Sequence, residues 1–212
     1  MTYAVKEIFY TLQGEGQNTG KPAVFCRFTG CNLWTGREQD RAKAVCQFCD
    51  TDFVGTDGHG GGVFQTPEML TKAISDAWGD GHAEQKFVVL TGGEPLLQLD
   101  DELVNCLHSD RFLISIETNG TLPVPDGVDW VCVSPKGTSD IAARKGDELK
   151  LVYPQPELDP ALFESWDFTH HFLQPMDIKD SPSDTVQKTI EYCLEHPKWR
   201  LSLQTHKILQ IP

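Results

Sequence analysis

The chain has 212 residues, of which 39% are hydrophobic, so it can bury the core of one ordinary domain, and a disordered chain is excluded. Its net charge of −13 repels a phosphate backbone, which argues against a nucleic-acid partner. No apolar run approaches the roughly 18 residues of a membrane span, and the first residues do not resemble a signal peptide, so we expect a single cytoplasmic domain over residues 1–212 and no membrane partner.

Strands and helices are predicted to alternate along the chain. Apolar runs predict strands at residues 23–29, 87–91, 112–117, 130–134, 148–152, 168–173 and 201–204. A glycine-rich flexible loop is predicted at 58–62, and helices are predicted from Thr66 onward, at 99–108 and at 182–196. The alternation is typical of βαβ units around a parallel sheet whose strands are buried on both faces.

Polar or glycine-containing sequences follow most of these strands. They begin at Thr29, Thr91, Glu117, Ser134, Gln174 and Gln204. Because loops at the carboxyl ends of parallel strands form the active site of a barrel, these loops predict one shared mouth. The strand–helix units are too few for a closed eight-fold barrel, so the predicted fold class is α/β, with a partial, open parallel (β/α)6-like barrel.

Three of the seven cysteines form the pattern Cys31-x14-Cys46-x2-Cys49. Thiols clustered in a chain without an export signal are typical of metal ligands. A structural zinc ion needs a fourth ligand, for which Cys26 and His59 are candidates. An iron–sulfur cluster held by three cysteines instead leaves one iron open to a small molecule, and the cysteines alone do not decide between the two.

The sequence Thr91-Gly-Gly-Glu-Pro95 follows an apolar strand and favours the iron–sulfur cluster. Two glycines permit close approach of a backbone to a ligand, and the Glu94 carboxylate suits an ammonium group. A zinc-binding module needs neither feature. The plainer alternative is a turn between strand and helix with an exposed acid.

Together these motifs resemble those of the radical S-adenosylmethionine enzymes, in which three cysteines bind a 4Fe–4S cluster whose fourth iron binds S-adenosylmethionine. The rest of the chain resembles one family, the 7-carboxy-7-deazaguanine synthases. The matching segments are residues 9–16, 31–34, 49–52, 117–120, 134–136 and 204–209. The resemblance implies the barrel type of that superfamily and covers the chain from about residue 8 onward.

The resemblance also implies a carbon–nitrogen lyase that depends on S-adenosylmethionine, a 4Fe–4S cluster and Mg²⁺. Its reaction is the radical ring contraction of 6-carboxy-5,6,7,8-tetrahydropterin to 7-carboxy-7-deazaguanine, with loss of ammonia, in queuosine and 7-deazapurine biosynthesis. A homodimer and a flavodoxin-like or ferredoxin-like electron donor are further expectations, with Arg37, Arg41 and Lys43 as a candidate docking patch. The alternatives are another small radical enzyme, such as a glycyl-radical activase, and a zinc-binding module.

Residue roles follow from the resemblance, motif by motif. The cluster ligands and catalytic residues are Cys31, Cys46 and Cys49. The S-adenosylmethionine contacts are Phe48, Gly92, Gly93, Glu94, Ser134, Pro135, Lys136, Gln174, Pro175, Met176 and Asp177. The substrate contacts are Leu12, Gln13, Gly14, Glu15, Arg27, Thr91, Glu117 and Pro212. The Mg²⁺ ligand is Thr51, although Asp50 and Asp52 would be preferred on ligand chemistry alone.

Arg27 lies within an apolar predicted strand, where a charge is costly unless it is paired. A guanidinium suits a substrate carboxylate, and a structural ion pair is the alternative. Side chains alternate along a strand, so Cys26 and Arg27 point to opposite faces, and the sequence leaves open which of them faces the site.

The cysteine spacing departs from the C-x3-C-x2-C of the superfamily. The insertion 35–45 is polar and predicts a solvated helix within an expanded cluster loop at about 30–65. Cys106, Cys132 and Cys193 are predicted to be core thiols, and His206 is a weaker candidate for a substrate contact.

Overall fold

A computed structural model of the chain describes residues 1–80, 85–177 and 182–212. Its strands form one nine-stranded sheet in the order β3-β1-β2-β4-β5-β6-β7-β8-β9. Their bounds are β1 Tyr3–Leu12, β2 Pro22–Phe28, β3 Gly62–Phe64, β4 Lys86–Gly92, β5 Phe112–Thr118, β6 Trp130–Val133, β7 Lys145–Tyr153, β8 Asp167–Pro175 and β9 Arg200–Leu201. All pairings from β2 to β9 are parallel, whereas β1 pairs antiparallel with β2 and β3. The predicted α/β fold with an open parallel sheet is confirmed.

The helices pack beside this sheet and connect its strands. They are α1 Pro67–Trp78, α2 Asp101–Ser109, α3 Pro182–Glu195 and α4 Thr205–Leu209, with 3₁₀ turns at Glu38–Lys43, Pro95–Leu97 and Pro160–Phe163. The Thr66 hydroxyl accepts a hydrogen bond from the Met69 N–H at 3.3 Å and caps α1, as predicted. Asp100 caps α2 in the same way, through the Leu103 N–H at 2.9 Å.

Two strands were not predicted, and two predicted features differ. No strand was predicted at β1, whose polar residues interrupt the apolar run of a buried strand and whose last four residues belong to the motif at 9–16. The strand β3 has only 3 residues, too few for a periodic pattern. Residues 58–62, predicted as a flexible loop, are instead tied to β1, since the Ile8 N–H donates to the His59 carbonyl at 2.7 Å. The last predicted strand is reduced to Arg200–Leu201.

Strand–helix units are less regular than a (β/α)6 pattern implies. Within the described residues, β5 is joined to β6, and β6 to β7, by segments that contain no helix. The core is still built on the parallel strands. The side chains of Val88, Val89 and Leu90 in β4 are completely buried. Burial on both faces of the sheet explains why residues 87–90 of β4 include no polar residue.

The expanded loop between β2 and β3 is anchored by aromatic contacts. The Arg41 guanidinium lies over the Trp34 ring at 4.1 Å, and Trp34 packs edge-to-face on Phe53 at 5.6 Å. The predicted solvated helix in the insertion is the 3₁₀ turn Glu38–Lys43, which contains no buried residue. In the described part of the chain, no helix is both long and apolar enough to cross a membrane.

Candidate active site

A cavity of about 420 Å³ opens where the parallel strands end. Its walls come from the loops after β1, β2, β4, β5, β6 and β8 and from the C-terminal segment. Cys31, Cys46 and Cys49 all line it. The loops at the carboxyl ends of the strands therefore do meet in one shared mouth, as predicted.

The environment of the three thiols favours ionisation of one of them. The hydrogen bond from Cys46 lowers the pKa of the Cys49 thiol to about 6, against burial, which raises it. The same hydrogen bond, together with burial, raises the pKa of Cys46. A thiolate is the form that binds metal, so this pair has the chemistry of a ligand set.

The surroundings of the three thiols bear on the choice between a zinc ion and an iron–sulfur cluster. Among the described residues, no three Cys, His, Asp or Glu side chains are placed to hold a single metal ion. Of the two candidates for a fourth zinc ligand, Cys26 is completely buried, and neither Cys26 nor His59 lines the cavity. Neither candidate therefore completes a zinc site with the cavity thiols, and a 4Fe–4S cluster held by Cys31, Cys46 and Cys49 stays a prediction.

Gly92 and Gly93 hold the cluster loop against the end of β4. A Cβ atom on Gly92 would lie 2.2 Å from the Phe28 carbonyl oxygen, and one on Gly93 would lie 2.0 Å from the Gly30 carbonyl oxygen. The Glu94 N–H donates to that Gly30 carbonyl at 2.8 Å. The glycines were predicted to admit a ligand; in the structure they admit the backbone that leads into Cys31.

Glu94 and Pro135 are buried and do not line the cavity. The Glu94 carboxylate accepts hydrogen bonds from the Leu96 N–H at 3.0 Å, the Thr118 hydroxyl at 2.7 Å and the Asn119 N–H at 2.8 Å. Burial raises the pKa of Glu94 despite these donors. The carboxylate therefore joins the loops after β4 and β5 from beneath the cavity, and its contact with a ligand stays a prediction.

The remaining predicted site residues do line the cavity. These are Leu12, Gln13, Gly14, Glu15, Arg27, Phe48, Thr51, Thr91, Gly92, Gly93, Glu117, Ser134, Lys136, Gln174, Pro175, Met176, Asp177 and Pro212. His206 also lines it. The sequence motifs thus converge on one cavity, and the site and the individual roles stay predictions.

Arg27, and not Cys26, faces the cavity. Its Nε donates to Glu7 Oε1 at 2.7 Å, so the structure contains the ion pair that was considered as the alternative role. Arg27 and Glu7 both line the cavity. The two terminal guanidinium nitrogens of Arg27 have no hydrogen-bond partner among the described residues. The ion pair therefore leaves both terminal nitrogens, with their four N–H groups, available to a bound anion.

Two predicted core thiols have other environments. Cys132 is buried, but it borders the cavity, with its Sγ 3.6 Å from Glu148 Oε1. Cys106 is half-buried on α2, with its Sγ 3.9 Å from Glu68 Oε1 at the surface. The helical pattern of α2 did not show that this position lies at the edge of the apolar face.

Sequence reasoning missed two buried charges on β7. Glu148 is 3% exposed and Lys150 is 5% exposed, and Lys150 lines the cavity. The available signal was their spacing, because residues two apart in a strand share a face. Two charges on one face of a strand in the middle of a sheet must be paired, and hence indicate a site.

The C-terminal segment closes one wall of the cavity. The Thr205 N–H donates to the Gly14 carbonyl at 2.9 Å, and the Thr11 hydroxyl donates to a Pro212 oxygen at 3.1 Å. Lys207 bridges Asp50 at 2.7 Å and Asp177 at 2.6 Å. Contacts more than 150 residues apart in sequence thus shape this wall.

Removing Ile211 and Pro212 is expected to raise the KM for substrate about tenfold while leaving the melting temperature nearly unchanged, because Pro212 lines the cavity and α4 ends before it. Steady-state kinetics and thermal unfolding check this. The control is Ile208→Ala, an exposed position on α4. Identical KM values for the shortened and full-length chains would contradict the prediction.

Comparisons with known proteins find relatives that match this chain over its full length. No family model matches the chain. Over 212 residues the chain is 58% identical to a protein named 7-carboxy-7-deazaguanine synthase from Bordetella pertussis and to another from Caulobacter vibrioides, with 100% of each chain covered. A protein of the same name from Bacteroides thetaiotaomicron is 39% identical over 211 residues. The crystal structure of QueE from Escherichia coli has a TM-score of 0.71 and 29% identity, covering 96% of this chain and 94% of that chain.

The open parallel sheet, with thiols and a glycine pair at its mouth, is the radical S-adenosylmethionine type of α/β fold. Identity of 58% over the full length of curated relatives then fixes the family. The chain belongs to the 7-carboxy-7-deazaguanine synthases.

Proposed function

We propose that this chain catalyses the ring contraction of 6-carboxy-5,6,7,8-tetrahydropterin to 7-carboxy-7-deazaguanine, with loss of ammonia, as a cytoplasmic step of queuosine and 7-deazapurine biosynthesis. The observation that carries the proposal is one cavity that is lined both by three thiols and by a guanidinium with two carboxylates. The thiols are those of Cys31, Cys46 and Cys49, and the charged groups are those of Arg27, Glu15 and Glu117. The family membership supports the same reaction.

Cys31, Cys46 and Cys49 would hold a 4Fe–4S cluster, and the loops after β4, β6 and β8 would hold S-adenosylmethionine. When bound, this pair of cofactors supplies a carbon-centred radical that removes a hydrogen atom from the substrate. Lys136 lies beside the thiols, and burial lowers its pKa, although the nearby thiols oppose that change. Its side chain donates to the Ser134 carbonyl at 3.0 Å, which fixes the ammonium near the cluster ligands.

Thr51 is proposed as the Mg²⁺ ligand because its hydroxyl has no partner in the described part of the chain, whereas the carboxylates of Asp50 and Asp52 are paired with lysines. Asp52 pairs with Lys6 at 3.0 Å and Asp50 pairs with Lys207 at 2.7 Å, so both carboxylates already have a cation. Thr51 lines the cavity, and its hydroxyl has no hydrogen-bond partner among the described residues. A hydroxyl oxygen there suits a hard cation that also binds water and a substrate carboxylate.

An electron donor of the flavodoxin or ferredoxin type and a second copy of the chain remain part of the proposal. Of the candidate docking residues, Arg37 and Lys43 are exposed. Arg41 is already engaged, since its Nε donates to Glu38 at 2.8 Å and its guanidinium lies over Trp34. The docking patch would therefore depend on Arg37 and Lys43.

Arg27→Lys is expected to raise the KM for the pterin about 10- to 100-fold with a smaller change in kcat. Lysine can still pair with Glu7, but it lacks the two terminal nitrogens that a carboxylate binds side by side. Steady-state kinetics give the split between KM and kcat. The matched control is Arg144→Lys, whose guanidinium lies over Trp166 at 5.3 Å and does not line the cavity. Equal KM values for Arg27→Lys and the wild type would remove Arg27 from the substrate contacts.

Anaerobic turnover tests the proposed function directly. The reconstituted protein is incubated with S-adenosylmethionine, Mg²⁺, a reductant and 6-carboxy-5,6,7,8-tetrahydropterin, and products are identified by mass spectrometry. Formation of 7-carboxy-7-deazaguanine with release of ammonia is the expected result. If 5′-deoxyadenosine formed without that product, the radical chemistry would stand and the substrate would be wrong.

A further inference from the structure

A buried lysine lies between two carboxylates of the cavity. Lys150 Nζ is 2.6 Å from Glu15 Oε2 and 3.5 Å from Glu117 Oε1, and both glutamates line the cavity. The ammonium of a lysine that is only 5% exposed must be paired, because an isolated buried charge is strongly unfavourable. We call Lys150, Glu15 and Glu117 the trio. Its two carboxylates and one ammonium give it a net negative charge.

Side-chain amides hold the two carboxylates in different ways. Glu15 Oε1 accepts hydrogen bonds from Gln174 Nε2 at 3.1 Å and Gln204 Nε2 at 3.0 Å, so both of its oxygens are engaged. Glu117 Oε1 accepts from Gln13 Nε2 at 3.0 Å. Glu117 Oε2 has no hydrogen-bond partner among the described residues, and the Glu117 side chain is 23% exposed against 13% for Glu15. The trio therefore presents a free carboxylate oxygen of Glu117 to the cavity.

We propose that Lys150 is a positioning residue that fixes Glu15 and Glu117 as hydrogen-bond acceptors for the N–H donor edge of a nitrogen heterocycle. This inference rests on the proposed function, which supplies a pterin as the heterocycle. Glu117 Oε2 is free to accept one N–H, and Glu15 Oε2, which among the described residues accepts only from Lys150, retains a second acceptor site for a neighbouring N–H. Without a cation beneath them, two carboxylates facing each other would repel and move apart.

The electrostatics of Glu15 agree with this geometry. Burial raises the pKa of Glu15, but the charge of Lys150 and hydrogen bonds from Lys150 and Gln204 lower it to about 2. Burial lowers the pKa of Lys150, but Glu117 and Glu15 raise it well above its ordinary value. Glu15 is therefore an acceptor over the whole range in which the enzyme is assayed.

Other charged or titratable groups also face the trio. They are Glu148 on β7, Cys132 on β6, Lys136 in the loop after β6, His206 on α4 and Asp50 in the loop after β2, which shares the Gln204 amide with Glu15. Burial raises the pKa of both Glu148 and Cys132. A change in pH dependence on removal of Lys150 must therefore be compared with the wild type, in which these groups are also present.

Lys150→Met tests the inference in the reconstituted holoenzyme with S-adenosylmethionine bound. The dissociation constant of 6-carboxy-5,6,7,8-tetrahydropterin is measured by anaerobic ultrafiltration between pH 6 and 8.5, beside KM, kcat and the melting temperature. Without the cation, burial raises the pKa of Glu15, so the carboxyl gains a proton as the pH falls and loses an acceptor. We expect binding that is about 10- to 100-fold weaker at pH 6 and that partly recovers at pH 8.5.

Matched variants separate positioning from folding. Lys145→Met changes an exposed lysine of the same strand, and its binding should equal that of the wild type. The double variant Lys150→Met/Glu15→Gln removes the cation together with the most buried carboxylate. It should fold, bind the pterin weakly and lose most of the added pH dependence.

A wild-type dissociation constant and pH profile for Lys150→Met, even with a lower melting temperature, would overturn the inference, because Lys150 would then only stabilise the fold. If that variant does not fold, wild-type binding by the double variant would overturn it equally. Failure of the wild type to convert the pterin would instead refute the proposed function. The two failures are thus distinguishable.

Discussion

Replacing Cys49 with serine is expected to abolish turnover, lowering kcat by about three orders of magnitude or more, and to reduce the iron and sulfide retained after reconstitution. Cys49 has the lowered pKa of the thiol pair, so it is the thiol that is most readily deprotonated for a metal. A serine hydroxyl does not ionise near neutral pH and is a poor ligand for iron. Metal analysis and visible absorbance give a readout that does not depend on activity.

The control for Cys49→Ser is Cys106→Ser. Cys106 is half-buried between α1 and α2 and does not line the cavity, so this variant should retain the iron, the sulfide and the turnover of the wild type. Full iron and sulfide content in Cys49→Ser would show that the cluster does not depend on this thiol. Stoichiometric zinc with no iron and no sulfide in the wild type would favour the zinc-binding module.

The second large effect is expected from Gly93→Ala, which should lower turnover about a hundredfold, the loss that accompanies a displacement of about 1 Å at a reacting centre. The added Cβ would lie 2.0 Å from the Gly30 carbonyl oxygen and 3.0 Å from Cys31 Cβ. Because these neighbours are backbone and a predicted cluster ligand, the loop must move to relieve the clash. Turnover, iron content and the melting temperature are measured together.

Gly62→Ala is the matched control for Gly93→Ala. Its Cβ would meet only the ring of Phe64, at 3.7 Å, which is an ordinary contact at the edge strand β3. Wild-type turnover and iron content are expected for this variant. If Gly93→Ala also behaved like the wild type, the close packing of β4 against the cluster loop would not position Cys31.

Parallel strands such as β4 and β6 could be predicted because they are apolar along most of their length. The run from Phe87 to Leu90 has no polar face, and such a strand is stable only when both faces of the sheet are covered. Strand β1 could not be found in this way. It lies near the edge of the sheet, where many of its positions are only half-buried and carry polar residues. Its sequence therefore lacks the continuous apolar run that marks a buried strand.

The candidate site was predicted by motifs rather than by periodicity. Local spacing placed Cys46 and Cys49 in one loop, and the strand ends placed Thr91 and Ser134 at one edge. The contacts between these segments could not be predicted from the sequence. The glycines after β4 pack on the cluster loop, and Glu94 is enclosed by the loop after β5, because both depend on which strands become neighbours.

The sequence by itself thus determined the class of fold, the family resemblance and the set of loops that meet at the mouth. Each of these depends on residues close together in the chain, where spacing fixes which side chains share a face. Only the tertiary structure decided that Lys150 lies between Glu15 and Glu117, which are 135 and 33 residues away from it in the chain. Charge pairing of this kind depends on the order of strands in the sheet, and no local pattern encodes that order.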